Sequence, residues 1–286
     1  MADATPERVT IYEVGPRDGL QNEATPIPTE AKIRFVHALA GAGLHWIETT
    51  SFVNPKAVPQ LADATEVMQG IERSAGVRYP VLVPNERGME RALEANVDAI
   101  ALFAAASEAF SQANIRVSID ESFERFKPVA EIAKRDKIWT RGYVSTAFHC
   151  PYSGPVAPAQ AIEVAERLFA LGCDEVAIAD TIGRATEDDT SRLLDLATSR
   201  LPIARLAFHL HDTTGLALAN IRLALAAGIT VFDGSAGGLG GCPFAPGAPG
   251  NLSTEKLVRM LDEMGIETGV NADAVAQAAL EMRALL

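Results

Sequence analysis

Long apolar runs, cysteines and clustered positive charge are all scarce in this sequence. No apolar run approaches the about 20 residues that a membrane-spanning helix needs. The three cysteines, Cys150, Cys173 and Cys242, are too few and too scattered for a disulfide framework. The net charge is −12, and Lys and Arg form no dense cluster. Nucleic acids and anionic membranes are therefore poor partners for this chain.

The sequence also lacks the breaks in composition that would divide it. The 286 residues are 48% hydrophobic and 22% charged, as in an ordinary globular protein, and no linker or low-complexity segment interrupts them. Residues 1–7 have the features of neither a signal peptide nor a transit peptide, and residues 284–286 are no peroxisomal signal. We expect one catalytic domain spanning residues 1–286, located in the cytoplasm.

The sequence does contain a regular alternation of short apolar runs with segments of helical period, which predicts βα units and a parallel sheet. The predicted strands are Val9–Val14, His45–Thr50, Tyr79–Val83, Ala99–Phe103, Thr140–Ser145, Glu175–Ala179, a run from Ile203 to the histidine pair, and Thr230–Asp233. The predicted helices lie near 29–42, 60–74, 107–116, 120–136, 158–171, 186–199, 215–227, 253–264 and 271–285.

Eight βα units favour an α/β fold of the closed (β/α)8 TIM-barrel type, which commonly has about 250 residues. The segment near 271–285 adds an extra C-terminal helix. A dinucleotide-binding G-x-G-x-x-G motif is missing after the first strand, which weighs against an open Rossmann sheet. In a barrel of this kind the carboxyl ends of the strands carry the active site, so polar side chains at those ends are the first candidates.

The seventh strand ends in His209-Leu210-His211-Asp212. Side chains alternate along a strand, so His209 and His211 project from the same face with their Cα atoms roughly 6.5–7 Å apart. Two imidazoles at this separation can share a cation, or one can bind it while the other moves a proton. The alternative is that the two histidines form a hydrogen-bonded structural pair. The polar residues at the other strand ends favour a functional site over this alternative.

Those other strand ends carry Arg17, Asp18, Glu48 and Asp180. The guanidinium of Arg17 is suited to stabilising a developing oxyanion, and Asp18 can add an oxygen ligand to the histidine pair. The alternative is that Arg17 and Asp18 form a surface ion pair without a catalytic role. We expect Glu48 to orient Arg17 through a buried ion pair, and Asp180 to bind substrate or hold a ligand histidine.

A loop over 237–251 follows the eighth strand. Six glycines and three prolines among its first fourteen residues exclude regular structure, and long loops of this kind are usually lids or binding loops. Its Cys242 can act as acid, base or nucleophile near a metal, unless the cysteine is incidental. Asn251 offers a neutral oxygen ligand. His149 follows the fifth strand, and two roles are open for it: a structural residue, or a residue that lines the mouth of the barrel.

Four stretches together resemble the 3-hydroxy-3-methylglutaryl-CoA lyases, and the similarity extends over residues 9–270. The stretches are Glu13–Glu23 (EVGPRDGLQNE), Ile47–Val53 (IETTSFV), His209–Thr213 (HLHDT) and Gly238–Pro243 (GLGGCP). The glycine-cysteine stretch is the most specific of the four. The Arg-Asp and His-x-His motifs alone are shared with the wider group that contains isopropylmalate and homocitrate synthases.

The resemblance implies a (β/α)8 barrel that uses one Mg²⁺ or Mn²⁺ per chain and cleaves 3-hydroxy-3-methylglutaryl-CoA to acetyl-CoA and acetoacetate, in leucine degradation. It also implies site residues. The metal positions are Asp18, His209, His211 and Asn251, and the catalytic positions are Arg17, Glu48, Asp180, Cys242 and His209, the last as base. Arg17 and Asp180 are also expected to bind the acyl-CoA substrate. From ligand types alone Zn²⁺ and Fe²⁺ are not excluded, and homo-oligomer formation is left open.

Three positions depart from the pattern of that family. Thr214 stands where tyrosine is common, Phe148-His149 replaces a Leu-Gly pair, and Lys256 stands where an acid is usual. None is a proposed ligand or acid, so the departures bear on the acyl group rather than the reaction. We expect Phe148 and His149 to fill the space that the missing ring leaves at Thr214.

The nearest alternative function is a sibling lyase acting on citramalyl-CoA or on a longer 3-branched 3-hydroxyglutaryl-CoA. A metal-dependent hydrolase is more distant, because such barrels typically place His-x-His on the first strand, where this chain has Arg17 and Asp18. A non-catalytic binding module gives no reason for a thiol on a glycine-rich loop.

Replacement of Cys242 by serine should remove most turnover and leave metal binding intact, because a serine hydroxyl is a much weaker acid than a thiol. Oxidants should inactivate the wild-type chain, and thiols should restore it while oxidation stops at sulfenate or disulfide. Steady-state kinetics beside a Mn²⁺ titration measure both properties. A Cys242→Ser variant with near wild-type kcat would reduce Cys242 to a structural residue.

Overall fold

The computed structural model describes residues 6–240 and 250–286. Its strands are β1 Thr10–Glu13, β2 Trp46–Ile47, β3 Thr50–Ser51, β4 Val81–Leu82, β5 Ala99–Ala105, β6 Trp139–Ser145, β7 His149–Cys150, β8 Gly154–Pro155, β9 Glu175–Asp180, β10 Leu206–Leu210 and β11 Val231–Gly234. Its α-helices are α1 Thr29–Gly41, α2 Ala64–Gly70, α3 Glu86–Glu94, α4 Glu108–Ile115, α5 Ile119–Asp136, α6 Pro158–Leu171, α7 Glu187–Arg200, α8 Ala217–Ala226, α9 Thr254–Glu263 and α10 Ala272–Arg283.

The parallel sheet closes on itself. Its strand order is β2-β1-β11-β10-β9-β6-β5-β4-β3, and the two end strands belong to one continuous stretch of chain. Within that stretch the Glu48 N–H donates to the Glu13 carbonyl at 2.8 Å, and the Thr49 N–H donates to the Pro80 carbonyl at 2.9 Å. β2 and β3 therefore fill a single position between β1 and β4. The result is the predicted (β/α)8 barrel, with α10 as the additional C-terminal helix packed on α1 and α9.

Several predicted boundaries were wrong. The strand expected over His45–Thr50 is broken in the middle, because its halves pair with different neighbours. The helix expected near 60–74 is a 3₁₀ turn at Pro59–Leu61 followed by the shorter α2. The run from Ile203 begins with a 3₁₀ turn at Ile203–Arg205 rather than with strand, since the Arg205 N–H returns to the Pro202 carbonyl.

Three further features were not predicted. The first is the helix α3, which begins after Asn85, whose side chain accepts from the Gly88 N–H. The segment after β6 forms a short antiparallel hairpin of β7 and β8 before α6 begins. The glycine-rich segment also contains a 3₁₀ turn at Ala236–Gly238, although its composition predicts no regular structure. Neither the hairpin nor the 3₁₀ turn has a length or period that propensity alone would detect.

The core has two parts. A large cluster packs between the sheet and the helices, and a small one lies inside the barrel around Ala101, Tyr143, Ala177 and Ala207. The three alanines leave room inside the barrel for large polar side chains. Arg141 uses that room and is fully buried. The barrel interior beneath the strand ends is thus polar rather than filled with branched apolar residues, as is more usual.

Helix termini in this fold follow ordinary capping chemistry. Ser118 accepts a hydrogen bond from the Glu121 N–H, and the Glu121 side chain returns to the Ser118 N–H, so α5 starts with a capping box. Pro158 opens α6, and Gly172 ends it in the left-handed region. Among the described residues no helix combines the length and the apolar character required to cross a membrane.

Candidate metal centre

Three side chains meet at the carboxyl ends of the strands. Asp18 follows β1, His209 lies on β10, and His211 stands just past β10, and one ligand atom from each lies within 4.8 Å of the others. The two imidazole rings are 5.5 Å apart between centroids. The buried Nδ1 of His211 has no hydrogen-bond partner among the described residues. A divalent cation would satisfy such a nitrogen, and two imidazoles with a carboxylate are suitable ligands for it.

Local backbone structure places these three side chains. After β1 the chain makes a π-helical turn at Gly15–Gly19, in which the Asp18 N–H donates to the Val14 carbonyl at 2.7 Å. A Cβ on Gly19 would lie 2.9 Å from the Leu239 Cβ, so the turn packs directly against the neighbouring loop. His211 pairs with Asn251 in an isolated antiparallel bridge. The turn and the bridge bring the ends of β1 and β10 together.

Arg17 controls the charge of the site. Its Nε donates to Glu48, and its Nη1 donates to Asp18 Oδ1 at 2.5 Å. Burial alone would raise the pKa of Asp18, but attraction to Arg17, and then to His209 and His211, outweighs burial and lowers that pKa well below its usual range. Asp18 is therefore ionised at neutral pH and able to bind a cation. Burial and the neighbouring His209 lower the pKa of His211 to about 4, so its imidazole is neutral and able to bind a cation.

The expected pairing of Glu48 with Arg17 is present, and two tyrosines extend it. Tyr12 and Tyr143 donate to the Glu48 Oε2 at 2.9 and 2.8 Å. Burial raises the pKa of both phenols well above the usual value, with the charge of Glu48 adding to the effect. Both hydroxyls therefore stay protonated and act as donors. Glu48 is fully buried, and both of its carboxylate oxygens accept hydrogen bonds. It can therefore hold Arg17 in one orientation.

His209 has a supporting carboxylate that sequence reasoning missed. Its Nδ1 lies 3.0 Å from Asp233 Oδ2, and since a carboxylate only accepts, Nδ1 carries the proton and Nε2 carries the lone pair. Arg141 donates to Asp233 Oδ1 at 2.5 Å. The Arg141 guanidinium lies 3.8 Å from the Tyr12 ring centroid. This carboxylate–histidine arrangement is typical of metal ligands.

The sequence contains a signal for both Asp233 and Arg141. Asp233 is the polar residue that ends the predicted eighth strand, like the other strand-end residues, and Arg141 is a charge in the middle of a predicted strand. A charge in a buried strand requires a partner. Their pairing with each other and with His209 depends on barrel closure, which sequence periodicity does not reveal.

Asn251 lies beside the cluster. Its Nδ2 donates to Asp18 Oδ2 at 2.8 Å and to the Leu239 carbonyl at 3.2 Å. These two bonds use both protons of the amide and leave its oxygen as the atom that could bind a cation. Gln21 also donates to Asp18, through Nε2 to Oδ1 at 2.8 Å. Asp18 is thus held in place from several sides.

Asp180 has a different set of contacts. Its Oδ2 accepts from the Ala185 N–H at 2.8 Å within its own βα turn, and its buried Oδ1 has no hydrogen-bond partner among the described residues. Burial raises the pKa of Asp180 against the effect of these backbone hydrogen bonds. Its backbone carbonyl accepts from the His211 N–H at 3.2 Å, but no side-chain hydrogen bond among the described residues joins Asp180 to Asp18 or to His209. Cys242, the remaining predicted catalytic residue, lies outside the described residues.

The residues that depart from the family pattern are not brought together as we expected. Phe148 packs edge-on against Phe208, 6.4 Å between centroids, and Phe208 faces the helices because its neighbour His209 faces the barrel interior. His149 lies 3.3 Å from Asp189 Oδ2, and Thr214 donates to the Gly183 carbonyl at 2.8 Å. Phe148 therefore occupies the outer side of the sheet and does not refill space at the barrel mouth.

Comparison with known proteins gives consistent matches. The sequence model of the family described as HMGL-like matches residues 8–281. Hydroxymethylglutaryl-CoA lyase of Pseudomonas mevalonii is 50% identical over 98% of this chain and 93% of its own. A lyase of Pseudomonas aeruginosa, named for 3-hydroxy-3-isohexenylglutaryl-CoA and hydroxymethylglutaryl-CoA, is 50% identical over 98% and 94%. The crystal structure of HMG-CoA lyase from Brucella melitensis is 53% identical, with a TM-score of 0.96 over 98% and 99%.

The support of His209 by Asp233 can be tested through metal affinity. In Asp233→Asn the amide must turn its oxygen to Arg141 and its NH₂ to His209, which moves the imidazole proton to Nε2 and removes the lone pair. Mn²⁺ affinity, measured by calorimetry, should fall roughly 10- to 100-fold. Glu175→Gln is the matched control, because Glu175 faces Arg141 at 3.2 Å without touching His209. Equal affinities for the two variants would contradict this role of Asp233.

Proposed function

The chain belongs to the HMGL-like family, and on that premise we propose that it is a divalent-metal-dependent carbon–carbon lyase. Its proposed reaction cleaves 3-hydroxy-3-methylglutaryl-CoA to acetyl-CoA and acetoacetate, as the names of its relatives indicate. The observation that supports this proposal best is the cluster of Asp18, His209 and His211 with Arg17 directly beside it. Mg²⁺ or Mn²⁺ is the proposed cation, and Asn251 is proposed as a further ligand.

The first step is removal of a proton from the tertiary hydroxyl of the substrate. A cation held by Asp18 and His211 would lower the pKa of that hydroxyl. We propose that His209 accepts the proton at Nε2, while Asp233 stabilises the resulting imidazolium from Nδ1. Nε2 has a single lone pair, so at any moment it serves either as a ligand or as a base. His209 is therefore assigned both roles, in sequence rather than together.

The second step is breakage of the C2–C3 bond, which leaves an enolate on the acetyl-CoA fragment. Arg17 is proposed to hold the enolate oxygen. It is suited to this because Glu48 binds its Nε and fixes the plane of the guanidinium. Cys242 is proposed to protonate the enolate carbon, and Asp180 is proposed to contribute to substrate binding. The roles of both residues stay predictions.

The acyl group is a separate part of the proposal, and the name of the Pseudomonas aeruginosa relative gives a second candidate for it. That protein is named for a 3-isohexenyl substrate as well as the 3-methyl one, at 50% identity. Thr214, a small residue where tyrosine is common, is near the strand end that carries His211, and Phe148 does not compensate for it. We nevertheless propose the 3-methyl substrate as the preferred one, because all proposed chemical residues of the family pattern are present.

Three broader assignments accompany this proposal. We propose that residues 1–286 form one catalytic domain, that the enzyme works in the cytoplasm in leucine degradation, and that its partner is a small acyl-CoA rather than nucleic acid or membrane. The net charge of −12 supports the exclusion of polyanionic partners. It also explains why an anionic substrate needs Arg17 and a cation at the site.

The decisive assay follows the products. With Mg²⁺ or Mn²⁺ the protein should convert 3-hydroxy-3-methylglutaryl-CoA to acetyl-CoA and acetoacetate in equal amounts, and EDTA should abolish the reaction. Arg17→Gln should lower kcat by roughly 10²- to 10³-fold, the usual effect of removing an oxyanion donor. Full activity without metal would refute the proposal. Release of free CoA without acetoacetate would instead indicate a hydrolase.

The acyl group is examined with the same assay on a 3-isohexenyl analogue, in wild type and in Thr214→Tyr. We expect higher kcat/KM for the 3-methyl substrate in the wild type. The preference should be incomplete, because each added methylene changes discrimination by only about 1–3 kcal/mol. A wild-type preference for the longer thioester, reversed by the tyrosine, would establish the second candidate in place of the first.

A further inference from the structure

Glu13 is a fully buried carboxylate for which the proposed reaction gives no role. It ends β1 and points to the helix side of the sheet, opposite to its interior-facing neighbour Tyr12. Its Oε1 accepts from the N–H groups of Gly15 at 2.7 Å and Ala236 at 2.8 Å, and its Oε2 accepts from the Thr254 hydroxyl at 2.6 Å. None of the ion pairs among the described residues includes it.

The three donors belong to three segments that surround the site. Gly15 begins the turn that carries Arg17 and Asp18. Ala236 lies just after β11, in the segment Ser235–Gly240 that precedes the glycine-cysteine residues 241–249. Thr254 begins α9, at the end of the segment Asn251–Thr254 that follows them. One carboxylate thus joins the turn after β1 to both segments that flank residues 241–249, and we call this contact the Glu13 junction.

The backbone packing at this junction is unusually close. A Cβ on Gly15 would lie 2.6 Å from Glu13 Oε1, and a Cβ on Gly19 would lie 2.9 Å from both Ser235 Oγ and Leu239 Cβ. The two flanking segments are also hydrogen-bonded to each other, since the Ser235 N–H donates to the Leu252 carbonyl at 2.9 Å. They form one unit, and Glu13 connects that unit to the turn after β1.

The hydrogen-bond pattern does not require Glu13 to be charged. Oε1 alone receives both backbone donors, and the Thr254 hydroxyl can donate to Oε2 or accept from it. Burial, with a small addition from Glu255, raises the pKa of Glu13 to about 7 in spite of the three hydrogen bonds that lower it. The ionised and neutral forms are both accessible near neutral pH. A glutamine has the same acceptor at Oε1 and a donor at the second position.

We propose that Glu13 is a positioning residue that fixes Arg17 and Asp18 relative to Asn251 and to both segments flanking the glycine-cysteine residues, through hydrogen-bond acceptance and not through charge. It touches neither the proposed metal ligands nor the substrate. Its action is to set the distance between the two halves of the site that come from β1 and from the chain after β11. Only the turnover readout of this proposal rests on the proposed lyase function.

The test compares Glu13→Gln with Glu13→Leu, which has similar size and no acceptor. By hydrogen–deuterium exchange, the Leu variant should exchange the Gly15 and Ala236 amides roughly tenfold or more faster, because their acceptor is lost. Its Mn²⁺ affinity should fall, and its kcat should drop roughly tenfold or more at saturating metal and substrate, with KM changed less. The Gln variant should stay close to wild type in all of these properties.

Two further variants keep the result interpretable. Ser111→Ala removes a buried hydrogen bond to the Val117 carbonyl, 2.8 Å long and remote from the junction, and should lower stability without changing exchange at Gly15 and Ala236 or kcat. If Glu13→Leu does not fold, Thr254→Val removes only the bond to Oε2 and should give a smaller change of the same kind.

The possible outcomes separate the two proposals. A Gln variant as impaired as the Leu variant would show that charge matters and would overturn the acceptance role. Unchanged exchange and unchanged kcat in Glu13→Leu and Thr254→Val would overturn the positioning role altogether. A wild-type protein without lyase activity would refute the proposed function alone, because the exchange rates and Mn²⁺ affinities would still decide the role of Glu13.

Discussion

Two buried arginines, one in the turn after β1 and one on β6, determine how the rest of the site can be arranged. Arg17 pairs with Glu48 and Asp18, and Arg141 pairs with Asp233. Removing one partner of such a buried pair typically costs about 3–5 kcal/mol, because the other charge is left without compensation. Tyr143 connects the two pairs, since its hydroxyl lies 2.8 Å from Glu48 and 3.3 Å from Asp233. The arginines, carboxylates and tyrosine therefore form one network, which contacts the cluster of Asp18, His209 and His211.

This network explains why the barrel interior is built as it is. Alanines at 101, 177 and 207 give space that large apolar side chains would otherwise fill, and the polar groups pair within that space. The network orients the two groups that carry the main steps of the proposed reaction, the Arg17 guanidinium and the His209 imidazole. Glu48 fixes the guanidinium of Arg17, and Asp233 fixes the proton of His209 on Nδ1. The site thus depends on residues one layer below those that would touch a substrate.

The sequence predicted the barrel because eight apolar runs alternate with helical segments, a local signal that survives without any knowledge of pairing. It also predicted which residues stand at strand ends, and the structure brings Arg17, Asp18, Glu48, His209 and His211 together as expected. It did not predict the partner of His209, because Asp233 reaches it only when β10 and β11 are neighbours in a closed sheet. The expectation that Phe148 fills space at Thr214 was wrong, because a side chain just past a strand can turn to either face. The packing of Phe148 against Phe208 depends on the hairpin, which was not predicted.

Asp18, His209 and His211 are proposed to hold one divalent cation, with both histidines as direct ligands. Electron spin-echo envelope modulation of Mn²⁺ added to the protein measures directly bound imidazole nitrogens, whatever the substrate is. Nitrogen couplings from two imidazoles are expected in the wild type and from one in His211→Ala. Mn²⁺ that supports full turnover but shows no imidazole coupling would contradict the assignment of the histidines as ligands.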